Sequence, residues 1–152
     1  MSPKGIAEAE EAVQRLRGTG VRLVLSSPIT RALQTAALLS RGLDLPLAVE
    51  FDLHEWLPDL SQSYDSVAVA LAAAREMDQC GGEWPQGESR QWEPLSSMRK
   101  RVQATLRRYM HLDGVIVVCH GTVISGLTGE VVGCSQQVIY RLDGGLATFM
   151  QS

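Results

Sequence analysis

The chain has 152 residues, 45% of them hydrophobic, which suits one domain over residues 1–152 with a single core and argues against two independent ones. Its formal net charge of −3, from 14 Lys and Arg against 17 Asp and Glu, gives no electrostatic footing for nucleic acid, whose binding needs clustered cations. No apolar run reaches the roughly 18–20 residues that cross a bilayer. Glu8, Glu10 and Glu11 stand where a signal peptide would carry its apolar core, and the three cysteines form no Cys-x-x-Cys pair, so the expectation is a cytoplasmic protein without a disulfide framework.

Helical and strand patterns alternate along the chain. Ser2 and Pro3 form a helix-start signal, and Ile6, Ala9, Val13 and Leu16 space an apolar stripe that Gly18 ends. Val21 to Leu25 is a short apolar strand. Ser27 and Pro28 repeat the start signal for a helix through Leu39, closed by Gly42. Leu47, Val49, Phe51 and Leu53 alternate with small or polar residues, which predicts a strand near a sheet edge delivering His54 and Glu55 at its end.

A helix is expected from about Asp65 to Met77. Cys80 to Pro94 then breaks the pattern with Gly, Pro and two Trp, a kind of loop that often covers a site. Leu95, Met98, Val102, Leu106 and Tyr109 mark an amphipathic helix whose Arg99, Lys100, Arg101, Arg107 and Arg108 read as its wet face. Val115 to Cys119 is continuously apolar, as a central parallel strand buried on both faces would be, and it stops at His120-Gly121. A helix from about Thr122 to Val132 follows. Gln137 to Leu142 and Leu146 to Met150, joined by Asp143-Gly144-Gly145, predict a terminal hairpin. The alternation predicts an α/β fold, a three-layer sandwich with a mostly parallel sheet flanked by helices.

In such sheets ligands gather at the carboxyl ends of strands, where Ser26, Ser27, Glu55 and His120 all fall. A helix starting just after Gly121 aims free backbone N–H groups and a positive dipole end at the same place, which favours an anion. Arg31, early in the neighbouring helix, carries a planar fork able to grip two phosphate oxygens at once. The convergence predicts a phosphate site built from Arg31, His120, Gly121 and Thr122. Taken singly, each residue has a plainer reading: a solvated arginine, a hydrogen-bonded core histidine, and an exposed carboxylate at Glu55. His54 and His111 are expected in surface or structural positions, and Trp56, Trp84 and Trp92 as loop anchors. No metal site is expected, because the three histidines lack ligand spacing. Cysteine-phosphatase chemistry needs an arginine where, counting from Cys119, Ser125 stands. Phosphate-loop, dinucleotide-binding and nucleophile-elbow glycine motifs do not occur.

The segments SSPITRALQTA (Ser26 to Ala36) and VIVVCHG (Val115 to Gly121) resemble the histidine phosphatase superfamily, the phosphoglycerate-mutase-like group, and the resemblance runs from Ser2 through the hairpin. It implies that Arg31 and His120 bind phosphoryl oxygens and stabilise charge in the transition state, and that Glu55 donates a proton to the leaving oxygen. It further implies a phosphomonoester or other phosphate-containing small molecule as partner and no metal or organic cofactor. The family pattern opens with a strand ending in Arg-His-Gly, whose His is the nucleophile. His120 matches the second family histidine, and nothing in the 152 residues matches the first. The expectation is therefore a family chain lacking that strand and nearly inactive as written, since losing a covalent nucleophile costs orders of magnitude in rate. The alternatives are a non-catalytic phosphate-ligand binder or regulator, and an assembly module. Because the family's first strand pairs with the one matching Val115 to Cys119, an unpaired apolar edge is predicted there, closed by the terminal hairpin or, preferentially, by a second chain in a homodimer.

Overall fold

Helix α1 (Pro3–Leu16) begins at its start signal: Ser2 Oγ accepts the Gly5 amide at 3.1 Å, and Pro3 sits in the first turn, where a missing N–H costs nothing. The computed structural model describes residues 1–63, 66–133, 137–142 and 145–152. Asp65, Cys134 and the Asp143-Gly144 turn, all named in the sequence reading, lie outside them. The chain forms two compact units, Met1–Glu55 with Arg101–Ser152, and Trp56–Lys100.

In the first unit α1 leads to β1 (Leu23–Ser26), α2 (Thr30–Leu43) and β2 (Leu47–Val49). The start of α2 is two residues later than its sequence signal. Ser27 Oγ is drawn away from a capping role by His120 Nε2 at 2.7 Å and the Ile29 amide at 3.3 Å, so Ile29 becomes the cap, without a side-chain bond. Gly42 does not close α2; it lies inside it, and the left-handed cap is Asp44 at φ 55°. A Cβ on Gly42 would come within 2.7 and 2.9 Å of the two Val13 γ-methyls, so its lack of a side chain is what lets α1 and α2 meet.

The predicted strand through Leu53 is corrected by the structure. β2 stops at Val49, the Glu50 amide makes a last bond to Ser26 O at 2.9 Å, and β1 offers no further partner. The backbone then folds into a 3-10 turn, Phe51–Leu53, that buries Leu53 and exposes Phe51. Trp56–Lys100 contains α3 (Val67–Gln79), capped by Ser66, and the first half of α4 (Leu95–Arg107). Its loop is held by indole N–H groups: Trp56 donates to Glu93 O at 2.6 Å, Trp84 to Trp92 O at 2.9 Å and Trp92 to Glu76 Oε2 at 3.0 Å.

The first unit resumes with the rest of α4, then β3 (Val115–Cys119), α5 (Gly121–Thr128), β4 (Gln137–Leu142) and β5 (Gly145–Gln151). α5 ends four residues short of Val132 because Gly129, at φ 77°, caps it. The sheet order is β2-β1-β3-β5-β4, parallel except for the β4–β5 hairpin. α1 and α2 cover one face with a core of Ala12, Val13, Leu16, Ala32, Ala36, Leu39, Val24, Ile116, Val118 and Met150. Alternate strand residues such as Leu25, Val117 and Phe149 are buried on the other face. There Gln103 of α4 donates to Tyr140 Oη at 3.0 Å, and Tyr140 meets Phe149 edge-on.

β3 has partners on both sides, with Ile116 opposite Val24 of β1 and Thr148 of β5. The unpaired central edge expected from the sequence is therefore not there: the terminal hairpin closes it. The physical reason for a homodimer or an assembly surface at β3 goes with it, and the edges of the sheet are β2 and β4. Hydrogen exchange checks this directly. The β3 amides should rank among the slowest in the chain, with protection that does not change across a hundredfold range of protein concentration; concentration-dependent protection would mean a second chain completes the sheet.

A second test concerns the α1–α2 contact. Alanine gains up to about 1 kcal/mol over glycine in a helix, but overpacking costs about 1–3 kcal/mol, and Val13 is β-branched and cannot swing aside. Gly42→Ala should lower stability by about 1 kcal/mol in urea unfolding. In a Val13→Ala background, with both γ-methyls gone, the same change should become neutral or stabilising.

Candidate functional site

β1 and β3 are parallel neighbours with Ser26 opposite Val118, so the residues that follow them, Ser27 and His120, emerge side by side. His120 is buried to 1% exposure and is the extended cap residue (φ −130°, ψ 157°) before α5. Gly121 follows, and a Cβ there would come within 3.2 Å of the Gln151 side-chain amide. α2 starts at Thr30, which puts Arg31 in its first turn, facing the same strand ends.

Three bonds define the cluster. Arg31 Nη2 donates to His120 Nδ1 at 2.8 Å, His120 Nε2 meets Ser27 Oγ at 2.7 Å, and Arg31 Nη2 lies 3.8 Å from Glu55 Oε2. A guanidinium can only donate, so His120 Nδ1 carries no proton and Nε2–H is the donor to Ser27. The electrostatics agree. Burial, then the positive charges of Arg31, His54 and Arg101, hold the His120 pKa down at about 4, so the ring is neutral at physiological pH. The half-exposed Arg31 side chain also borders a cavity of about 290 Å³ lined by Gln34, Thr35 and Gln151 among others.

The structure brings Arg31, Glu55 and His120 together, with Gly121 and Thr122 forming the first turn of α5, whose amides lack partners four residues back. Thr122 O accepts from Ser125 Oγ at 3.3 Å. Cys119 is fully buried, and burial pushes its thiol pKa well above the ordinary range, which removes it as a nucleophile. Among the described residues no three His, Cys, Asp or Glu group to hold a metal, and no helix is long and apolar enough to cross a membrane.

Two participants escaped the sequence reading. Ser27 was placed at a strand end but not as the hydrogen-bond partner of His120. Arg101, read as wet face, instead donates to the carbonyl oxygens of Asp52, His54 and Glu55. No sequence signal separates it from Arg99 and Lys100, because its partners are backbone atoms. His54 is structural as expected: its Nδ1 donates to Glu55 O at 2.7 Å, and its ring stands edge-on to Phe51.

This geometry of Arg31, His120 and a helix start at parallel strand ends coincides with a match of residues 1–150 to the model of the histidine phosphatase superfamily, branch 1. The chain belongs to that superfamily. It is 25% identical over 151 residues to the adenosylcobalamin/α-ribazole phosphatase of Escherichia coli, a match covering 95% of this chain and 74% of that one. Solved histidine phosphatase folds superpose on it. YhfR of Bacillus stearothermophilus does so with a TM-score of 0.65 at 20% identity, over 96% of this chain and 81% of its own. A mycobacterial glucosyl-3-phosphoglycerate phosphatase with inorganic phosphate gives 0.64 at 22% identity, over 85% and 67%.

The neutral, buried His120 has a measurable consequence for the folded superfamily domain. Its pKa lies near 4 when folded and near 6.5 in its ordinary state, so between those values the unfolded chain binds more protons. Its contribution is complete above pH 6.5 and is lost as the pH falls toward 4, by on the order of 3 kcal/mol. His120→Gln should flatten that part of the stability profile in urea unfolding; an unchanged slope would show that His120 is already protonated in the fold.

Proposed function

We propose that this chain carries a phosphomonoester site of the histidine phosphatase kind, in which Arg31, His120 and the amides of Gly121 and Thr122 bind the phosphoryl group and Glu55 supplies a proton to the leaving oxygen. The observation that carries this reading is the 2.8 Å bond between Arg31 and His120 beside the start of α5. The three features best suited to an anion meet at one point. Two of the named relatives are phosphatases, one of them solved with inorganic phosphate, which supports a phosphate-bearing small molecule as the ligand. A cytoplasmic setting, with Cys80 and Cys119 as free thiols, belongs to the same proposal.

His120 is a ligand here and not the nucleophile. Its Nδ1 accepts from Arg31 and its Nε2–H donates to Ser27, so both ring nitrogens are already engaged as ligands of neighbouring groups. This favours binding over turnover by these 152 residues alone. An incoming phosphoryl group takes up Arg31 donors, and its negative charge raises the proton affinity of His120, whose Nδ1 then protonates and donates to it. Binding of a given phosphate species therefore takes up a proton, and affinity falls as pH rises, by at most about tenfold per pH unit for one proton.

Calorimetry with inorganic phosphate and with vanadate tests the proposal. The unmodified chain should bind both, more tightly at pH 6 than at pH 8, and Arg31→Ala should weaken binding by at least about tenfold, or about 1.4 kcal/mol. An activated aryl phosphate should give no burst and no phosphohistidine at His120. Absence of phosphate binding at millimolar concentration, or binding indifferent to Arg31→Ala, would overturn the site.

A further inference from the structure

We propose that Arg101 is a positioning residue of this site: by binding three consecutive-turn carbonyls at once, it holds the segment that presents the Glu55 carboxylate to Arg31. Its Nη1 donates to Asp52 O at 2.5 Å and to His54 O at 3.0 Å, and its Nη2 donates to Glu55 O at 3.3 Å. These oxygens lie in and just after the 3-10 turn, where helical carbonyls run out of amide partners. A planar guanidinium can serve several fixed acceptors together, whereas an ammonium is a single point of charge.

The segment is fixed at its other end as well. The Glu50 amide bonds Ser26 O at 2.9 Å, and the Glu50 carboxylate receives Arg108 Nη2 at 2.6 Å together with the Tyr109 hydroxyl. Between these anchors His54 turns back on the chain, with its amide on Phe51 O at 3.0 Å and its Nδ1 on Glu55 O at 2.7 Å. Glu55 O therefore accepts from both Arg101 and His54. A carboxylate on a turn pinned at both ends stays 3.8 Å from Arg31 without a helix or strand of its own. Arg101 thus acts through Glu55, and its charge adds to that of Arg31 around His120.

The proposal rests on the phosphate-site reading for one arm of its test only. The first arm follows the Arg31 Nε–Hε signal by NMR in the unmodified chain, Glu55→Gln, Arg101→Lys and the double variant, with Arg101→Gln as a second substitution should lysine fail to fold. Arg101→Lys should move the Arg31 signal in the same direction as Glu55→Gln, and the double variant should match Glu55→Gln alone. A folded Arg101→Lys or Arg101→Gln protein with an unmoved Arg31 signal, or a double variant showing the sum of the two shifts, overturns the proposal. The second arm titrates inorganic phosphate between pH 6 and 8. Glu55→Gln should raise phosphate affinity at pH 8 on the order of threefold to tenfold, because a competing carboxylate is gone. Arg101→Lys should shift the affinity at pH 8 in the same direction, and an unchanged affinity in a folded Arg101→Lys protein counts against the proposal. Failure of the unmodified chain to take phosphate sinks the phosphate site, while the Arg31 signal still decides the role of Arg101.

Discussion

The hydrogen bond from Arg31 to His120 depends on nearly everything else in the first unit, and the chemistry of the site depends on it. It joins the first turn of α2 to the end of β3, two points 89 residues apart in the chain. They meet only because β1 and β3 pair in a register that sets Ser26 beside Val118. Slipping that register by one residue would turn the apolar residues of β3 to opposite faces and remove His120 from Ser27 at the same stroke. The core packing of Ile116 and Val118 against α1 and α2 therefore also fixes the site.

That bond also settles the state of the ring. Burial opposes a charged imidazole, and three neighbouring basic side chains oppose it further, so His120 sits between a permanent cation and a serine hydroxyl as a neutral acceptor and donor. A buried cation–histidine contact is tolerable only in this protonation state. An anion beside Arg31 would oppose the positive field acting on Nδ1 and so raise the proton affinity of the ring.

Much of this was legible in the sequence, and the part that was not shares a physical cause. Continuous burial reads from the apolar run Val115 to Cys119, and the helix start at Ser2-Pro3 reads from cap chemistry; both are local signals. His120 follows the end of β3 as the strand pattern predicted, while Glu55 comes to Arg31 from beyond a 3-10 turn and not from a strand end. The misses arose where a residue's role is set by atoms distant in sequence. The strand through Leu53 failed because β1 ended at Ser26 and left no partner, so an alternating pattern folded into a 3-10 turn. Ser27-Pro28 carried a sound start signal, but the serine hydroxyl was taken by His120, 93 residues away, and α2 began at Thr30. The sheet edge was misjudged because the hairpin that closes it carries no mark of which strand it will join.

Two guanidinium groups divide the Glu55 segment between them. Arg31 and Arg101 both reach the Glu55 segment, one at its carboxylate and one at its backbone, while His120 stays neutral. Two cations thus meet one short segment in a setting whose field already suppresses a positive charge on His120. Holding cations together without full compensation costs free energy, and in a protein interior that cost is offset only when the site is filled by something negative or when water reaches the groups. Arg31 is half exposed and meets the second condition; Glu55 and the carbonyls stabilise Arg101. The exposed guanidinium is therefore the one free to turn toward a ligand, and the clamped one sets the frame against which it turns. In the proposed phosphoryl site this division of labour would give one arginine to the anion and one to holding the Glu55 segment still.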